Sequence, residues 1–292
     1  MYTSFAVHPT KFVLPIRDTA IWHLASKEPA HRNGTPKQNR KYTDAEVEGL
    51  FATVLASILG ATKSKLHLDA EILGMTYPGY LRDSEYLSHF VNAAIQTLPG
   101  IEDGTFMWPH IHSARKASQL DNAKSLGYPI GTNVDRKGSL LLHFDYQSSQ
   151  LEVSIASVGV MITIVEGSFR IRDFGGMEQD ASQEKLGDLA TGIRGLIKDE
   201  LSNTLGLPSQ MSDFRGTVFS GDAPASEYDK IRDLIIKAVP EFSDRFVSID
   251  EPMWAGAVGA ARLARLRKLY PDDFQIEDRC YGDFDQFPHD EL

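Results

Sequence analysis

The alternation of apolar and polar residues in the middle of the chain predicts a β-hairpin. Residues 139–154 begin with an apolar run, pass through a short polar turn, and then alternate apolar with polar positions. This order is typical of two antiparallel strands joined by a tight turn. The pattern leaves two acids, Asp145 and Glu152, near the turn end of the hairpin.

Acids at the open end of a rigid hairpin suit two kinds of site. They hold a metal–phosphate complex, or they transfer protons to and from a substrate. Alternatively, the two acids are ordinary polar residues of a turn and form no site. The local pattern of Asp145 and Glu152 does not decide among these three.

Helical periodicity lies on both sides of the hairpin. Thr43 and Glu46 have the spacing of a capping box, and the apolar residues that follow recur on one helical face as far as Gly60. The same reasoning predicts further helices at residues 82–98, 183–205, 224–239 and 255–270. Helices that alternate with strands indicate a layered α/β or α+β fold.

Shorter segments between the helices are predicted as strands or loops. Strands are expected at residues 68–77, 216–220 and 246–249, and a pair of strands at 159–174. Residues 5–22 contain short β-like runs. The range 99–113 is predicted to be a loop, and it carries Trp108, His110 and His112.

Composition and charge narrow the class of protein. The 292 residues are 42% hydrophobic and 24% charged, as in an ordinary soluble globular protein. A formal net charge of −10 argues against a nucleic-acid partner, which needs clustered Lys and Arg. The single cysteine, Cys280, excludes an internal disulfide and a cysteine-built zinc site. No apolar window is expected to span a membrane.

The two ends of the chain point to different compartments. The first residues lack the basic and apolar regions of a secretory signal, so the chain as it stands is expected to be cytoplasmic. The last four residues, His289-Asp290-Glu291-Leu292, spell a retention signal of the endoplasmic reticulum lumen. The lumen is therefore the alternative location, if a leader precedes this sequence.

Five short segments follow one another in a recognisable order. They are Ala70–Tyr80 followed by Asp83-Ser84, Leu142–Ser154, Glu166–Phe169 with Gly175-Gly176, Phe219–Asp222, and Ala255–Ala261. In this order, from about Lys41 to Tyr270, they resemble the nucleotide-binding domain of the seventy-kilodalton heat-shock chaperones. That domain belongs to the actin, sugar kinase and chaperone superfamily.

The resemblance implies an α/β fold of the actin-like ATPase (ribonuclease H-like) kind. It implies a reduced first lobe at 1–135, a second lobe at 136–275 with the hairpin and an adenosine-like motif, and an acidic tail at 276–292. Asp145 and Glu152 match the two carboxylates of the family. The positions expected to bind a cofactor are Ser148, Ser149, Gly175, Gly176, Gly221 and Asp222.

The departures from the family weaken the expectation of ATP binding. Residues 1–30 contain no glycine, so the first phosphate loop of the family has no counterpart there. In the second loop, residues 147–150 replace the glycines of the family with Gln, Ser, Ser and Gln. Residues 177–218 leave room for little of the subdomain that covers adenine. The fold is thus expected to be truncated, and an ATP-driven chaperone is not expected.

Three functions follow from these observations. The first is a cleft adapted to a small organic molecule without any cofactor or metal, in which Asp145, Glu152 and His143 catalyse an acid–base isomerisation or cyclisation. Further candidate groups of this cleft are Trp108, His110 and His112. The second is a residual ATP-binding protein or weak ATPase that uses Mg²⁺. The third is a non-catalytic module that binds a partner protein through the aromatic and acidic tail around Tyr281, Phe284 and Phe287. The spacing of His110 and His112 in a loop is more typical of exposed polar residues than of a metal site.

Overall fold

The structure is a computed structural model that describes residues 42–67, 69, 71–82, 84–160, 163–172, 174, 183–202, 209–247 and 251–270. Their contacts divide them into two compact units. One comprises the described residues up to Gly74 together with Leu81–Phe106, and the other comprises Met75–Tyr80 and the described residues from Met107 onwards. The predicted lobe boundary at residue 135 stays a prediction. Gly175, Gly176 and the aromatic tail lie outside the described residues.

The first unit contains helices α1 (Asp44–Leu66) and α2 (Tyr86–Thr97). The capping box predicted at the start of α1 is confirmed, since the Thr43 backbone N–H donates to Glu46 Oε2 at 2.7 Å. The end predicted at Gly60 was wrong. A Cβ atom at Gly60 would meet nothing within 4 Å, and the helix runs two further turns. A glycine inside a helix weakens it without ending it.

Helix α1 also meets the length and composition of a membrane span, which the sequence analysis did not expect. It is the one such helix among the described residues. Three of its residues, Val47, Phe51 and Leu55, are buried within the protein. The Phe51 ring meets the Phe90 ring of α2 edge-on at 5.2 Å. One candidate span among the described residues is fewer than a multi-span membrane protein needs.

The second unit is built on a four-stranded mixed sheet. Its strands are β3 (Ser139–Tyr146), β4 (Gln150–Val158), β5 (Thr163–Arg172) and β6 (Phe214–Ser220). They lie in the order β5-β4-β3-β6, in which β3, β4 and β5 are antiparallel neighbours and β6 runs parallel to β3. The predicted hairpin is β3 and β4, and the unit is mixed α/β.

One face of this sheet carries the main hydrophobic core. Alternate residues of β3 and β4, from Leu140 and Leu151 onwards, pack against helices α4 (Gln183–Leu201) and α5 (Ala225–Ala238). Because successive side chains of a strand point to opposite faces, the residues between them lie on the other face. That second face carries the polar residues discussed below.

Two further helices cover part of the second face. They are α3 (His110–Ala117) and α6 (Ala255–Leu269), and the smaller apolar cluster there includes Ala114, Leu141 and Val218. The two helices approach so closely that a Cβ atom at Gly259 would clash with the backbone carbonyl of Ser113. The small residues of α6 thus permit its contact with α3.

A pair of three-residue strands corrects the prediction for residues 99–113. Strand β1 (Met75–Tyr77) pairs in parallel with β2 (Met107–Pro109), and α3 follows β2 directly. Trp108 therefore lies in a strand and both histidines lie in a helix, where a loop was predicted. Among the described residues of the range 68–77, where a strand was expected, the last three form it.

Two other predictions also gave more strand than the described residues form. Residues 163–172 form one strand, β5, where two strands had been expected at 159–174. At 246–249 the described part contains only an isolated parallel bridge between Phe246 and Thr217.

Candidate functional site

A row of polar residues crosses the second face of the sheet at the carboxyl end of β3. Asp145 of β3 lies directly opposite Glu152 of β4 on one side and Ser220 of β6 on the other. Arg170 of β5 lies opposite Glu152 and completes the row. Side chains directly opposite one another on neighbouring strands share a face and interact. The sheet register therefore brings the two acids predicted from the sequence together.

Asp145 forms a buried ion pair with His110, the first residue of α3. His110 Nδ1 lies 2.7 Å from Asp145 Oδ2, and the two side chains are 17% and 2% exposed. Burial alone would lower the pKa of His110, but the Asp145 carboxylate outweighs burial, so the pKa of His110 is raised above its usual 6.5. Below that raised value the pair consists of an imidazolium and a carboxylate.

The carboxylate of Asp145 is fully engaged by its neighbours. Oδ1 accepts hydrogen bonds from Ser220 Oγ at 2.9 Å and from Gln147 Nε2 at 2.7 Å, while Oδ2 bonds to His110. Burial would raise the pKa of Asp145. The cation of His110 and the hydrogen bonds from His110 and Ser220 overcome that effect and hold the pKa at about 2. Asp145 is thus ionised at neutral pH and positions His110.

Glu152 has the opposite electrostatic environment. Burial, and then the negative charge of Asp145, raise the pKa of Glu152 from its usual 4.5 to about 7. Its Oε2 accepts a hydrogen bond from the Tyr80 backbone N–H at 3.0 Å. A Cβ atom at Gly79 would lie 2.5 Å from Glu152 Oε1, so the turn after β1 can close over this carboxyl because residue 79 is glycine. Glu152 is therefore poised to exchange a proton near physiological pH.

His143, predicted to be catalytic, lies two residues before Asp145 on the same face of β3. Its Nε2 is 2.9 Å from Ser220 Oγ and its Nδ1 is 3.4 Å from Ser154 Oγ. Burial lowers the pKa of His143 to about 4, so the ring is neutral at physiological pH. Both of its nitrogens bond to protein side chains, and the residue is only 3% exposed.

The hairpin turn brings together two of the residues predicted to bind a cofactor. The Ser148 backbone N–H donates to Asp222 Oδ1 at 2.6 Å, and Ser148 Oγ lies 3.2 Å from Asp222 Oδ2. The donors that would approach an anionic ligand thus already hold a carboxylate of the protein. Ser149 is exposed at the same turn.

Gly221 has a backbone role in this arrangement. Its φ is +114°, and a Cβ atom there would clash with the carbonyl of Tyr146. Glycine adopts that backbone conformation without steric strain, because it has no Cβ atom. The close approach lets the Ala223 N–H donate to the Tyr146 carbonyl at 3.1 Å. Gly221 therefore joins the ends of β3 and β6 at this edge.

The two histidines of α3 lie on different sides of the helix. Residues two apart on a helix do not face each other. The His112 ring is buried beside Arg115 and Lys116, and its burial lowers its pKa well below the usual value. The described residues contain no group of three or more potential metal ligands. The two rings thus have different neighbours, Asp145 for His110 and Arg115 for His112.

Sequence reasoning assigned His110 to a loop and counted it among several candidate groups of the cleft, without pairing it with Asp145. It placed Tyr80, Gln147 and Ser220 in segments of the family resemblance and predicted no contact of these residues with the two acids. One available signal was a pair of short segments, Met75-Thr76-Tyr77-Pro78 and Met107-Trp108-Pro109, each of which starts with methionine and ends at a proline. That similarity could have suggested two short paired strands whose ends bring Tyr80 and His110 to one edge.

Comparison with known proteins adds no family to this description. No protein-family model matches the chain, and no curated protein matches it significantly.

Proposed function

We propose that the second unit carries a proton-transfer site for a small organic molecule, built on a reduced fold of the actin-like (ribonuclease H-like) kind. The order β5-β4-β3-β6, with an antiparallel hairpin and a parallel β6 beside it, is compatible with that fold. The reaction is an isomerisation or cyclisation that needs no nucleotide.

One observation carries the proposal: two carboxyl groups lie directly opposite each other on neighbouring strands, and Asp145 is paired with His110 while Glu152 lies beside that pair. The pKa of Asp145 is about 2 and that of Glu152 is about 7. Neighbouring titratable groups whose environments separate their pKa values in this way mark acid and base roles. A general acid or base works best when its pKa lies near the working pH.

The geometry suggests a role for each group. Glu152 is the group that gives or takes the proton. His110 is the second one, because its Nδ1 is bound to Asp145 and no described residue bonds its Nε2. The Nε2 atom lies beside α6, where a Cβ atom at residue 256 would be 3.9 Å away. Asp145 keeps the imidazole oriented.

The same geometry disfavours nucleotide binding. A phosphate approaching the hairpin turn would compete with the Asp222 carboxylate for the donors of Ser148. It would also meet the negative charge of Asp222. Nucleotide binding is therefore treated as the result that would contradict the proposal in the test described next.

The test is solvent deuterium exchange. The purified chain is incubated in D₂O with a panel of small ketones, aldehydes and hydroxy acids, and deuterium entry at carbon is followed by NMR. We expect exchange with at least one compound, with a pH midpoint near 7. Glu152→Gln should slow it by roughly 10²–10⁴-fold, the usual range for general acid–base catalysis.

The control is Glu241→Gln, which changes an exposed acid of the same unit and should leave exchange unaltered. The proposal is contradicted if no compound exchanges while Mg²⁺-ATP raises the melting temperature of the wild type but not of Asp145→Asn.

A further inference from the structure

A chain of hydrogen bonds leads from the interior of the sheet to the carboxylate of Asp145. It joins Ser154, His143, Ser220 and Asp145 in that order, with distances of 3.4, 2.9 and 2.9 Å. All four residues are less than 5% exposed. They come from β4, β3 and β6 and share one face, so the sheet itself fixes their spacing.

The direction of each hydrogen bond in this series follows from its last member, the carboxylate of Asp145. An ionised carboxylate only accepts hydrogen bonds, so the hydroxyl of Ser220 donates to Asp145. The oxygen of Ser220 is then free to accept, and its partner is the Nε2–H of His143. A neutral imidazole with a proton on Nε2 has a lone pair on Nδ1, which accepts from Ser154. Every proton in the chain therefore points towards Asp145.

This arrangement determines which oxygen of Asp145 is available to accept a hydrogen bond from His110. Oδ1 of Asp145 is taken by Ser220 and Gln147, and Oδ2 is left for the Nδ1–H of His110. Because Asp145 Oδ2 accepts from Nδ1, that nitrogen keeps its proton in both the neutral and the protonated imidazole. The Nε2 of His110 has no hydrogen-bond partner among the described residues.

We infer that His143 is a positioning residue: it orients Ser220, which fixes the Asp145 carboxylate and so sets the reactive nitrogen of His110. This differs from the catalytic role predicted for His143 from the sequence. Its place in the reaction rests on the proposed function, but the hydrogen-bond chain itself does not depend on any ligand.

The test uses histidine ring ¹⁵N and ¹H NMR of the full chain at pH 6–8, without a ligand. In the wild type we expect His143 to be the Nε2–H tautomer and His110 to show a slowly exchanging Nδ1–H. In Ser220→Ala and in His143→Leu, exchange of that His110 proton should accelerate at least about tenfold. That factor corresponds to a loss of about 1.4 kcal/mol of hydrogen bonding.

Two controls separate positioning from general destabilisation. Ser220→Thr keeps the hydroxyl and should retain the slow exchange. Ser154→Ala removes only the distant, long bond and should change the rate little. Exchange of core backbone amides, such as that of Leu142, should be the same in all variants that fold.

The inference is overturned if His143 carries its proton on Nδ1. It is equally overturned if His110 Nδ1–H exchange is unchanged in both Ser220→Ala and His143→Leu. A failure of the proposed function looks different, because deuterium exchange would then be absent while these NMR results stand.

Discussion

Replacing Glu152 by glutamine should change the pH dependence of stability in a defined direction. The folded protein holds the Glu152 proton with a pKa of about 7, against the usual 4.5. A carboxyl group whose pKa is raised by folding favours the folded state below the unfolded pKa. That contribution is lost as the pH rises through the folded pKa. The relevant window is therefore pH 4.5 to about 7.

The magnitude follows from the two pKa values. Their difference of about 2.5, at about 1.36 kcal/mol per pH unit, gives a loss of about 3 kcal/mol across the window. The side chain is 7% exposed, so solvent screens little of this effect. Glutamine has the same shape, still accepts from the Tyr80 N–H, and carries no charge. Glu152→Gln should therefore be close to the wild type at pH 4.5 and more stable by about 3 kcal/mol at pH 8.

The assay is urea unfolding of both proteins at several pH values between 4.5 and 8.5. Taking the difference between variant and wild type reduces the contribution of His110, whose raised pKa also costs stability as the pH rises. Glu241→Gln is the matched control, because it makes the same replacement at an exposed acid of the same unit. A flat difference for Glu152→Gln would refute the reasoning, because Glu152 would then have an ordinary pKa.

Two further substitutions test the ion pair of the site and the helix packing beside it. Asp145→Asn removes the partner of the His110 cation and should destabilise the protein by about 3 kcal/mol at pH 7, as the loss of one member of a buried ion pair does. This loss of stability should become smaller as the pH falls from 3.8 towards 2, because the wild-type carboxyl itself becomes protonated there. The assay is urea unfolding, and a loss of stability that stays the same at low pH would argue against the ion pair. Gly259→Ala should lower the melting temperature followed by circular dichroism, because its Cβ would clash with the Ser113 carbonyl. Gly195→Ala, in a helix where a Cβ meets nothing within 4 Å, should instead stabilise by about 0.5–1 kcal/mol. Equal effects of the two alanines would contradict the close contact of α3 with α6.

The hairpin and its two acids were predictable because their signal is local. Alternation of apolar and polar residues fixes which face each side chain takes, and a short turn fixes the register. Asp145 and Glu152 therefore come opposite each other with no knowledge of the remaining chain. The capping box of α1 was predictable for the same reason, since Thr43 and Glu46 are three residues apart.

The partners of these acids were not predictable in the same way. His110 reaches Asp145 only because two three-residue strands, β1 and β2, pair in parallel across about thirty residues of chain. Strands this short have almost no periodicity of their own, and their pairing depends on tertiary contacts. The role of Ser220 depends likewise on the register between β3 and β6. The pKa values of the acids, which carry the proposed function, follow from these non-local contacts.

The most direct test of the account is a carboxyl ¹³C NMR titration of the chain labelled at Asp and Glu, with Asp145→Asn and Glu152→Gln used for assignment. The account predicts that Glu152 titrates near pH 7, while Asp145 stays ionised down to about pH 2 or to acid unfolding. Two groups that both titrate near pH 4 would contradict the assignment of Glu152 as the proton-transferring group.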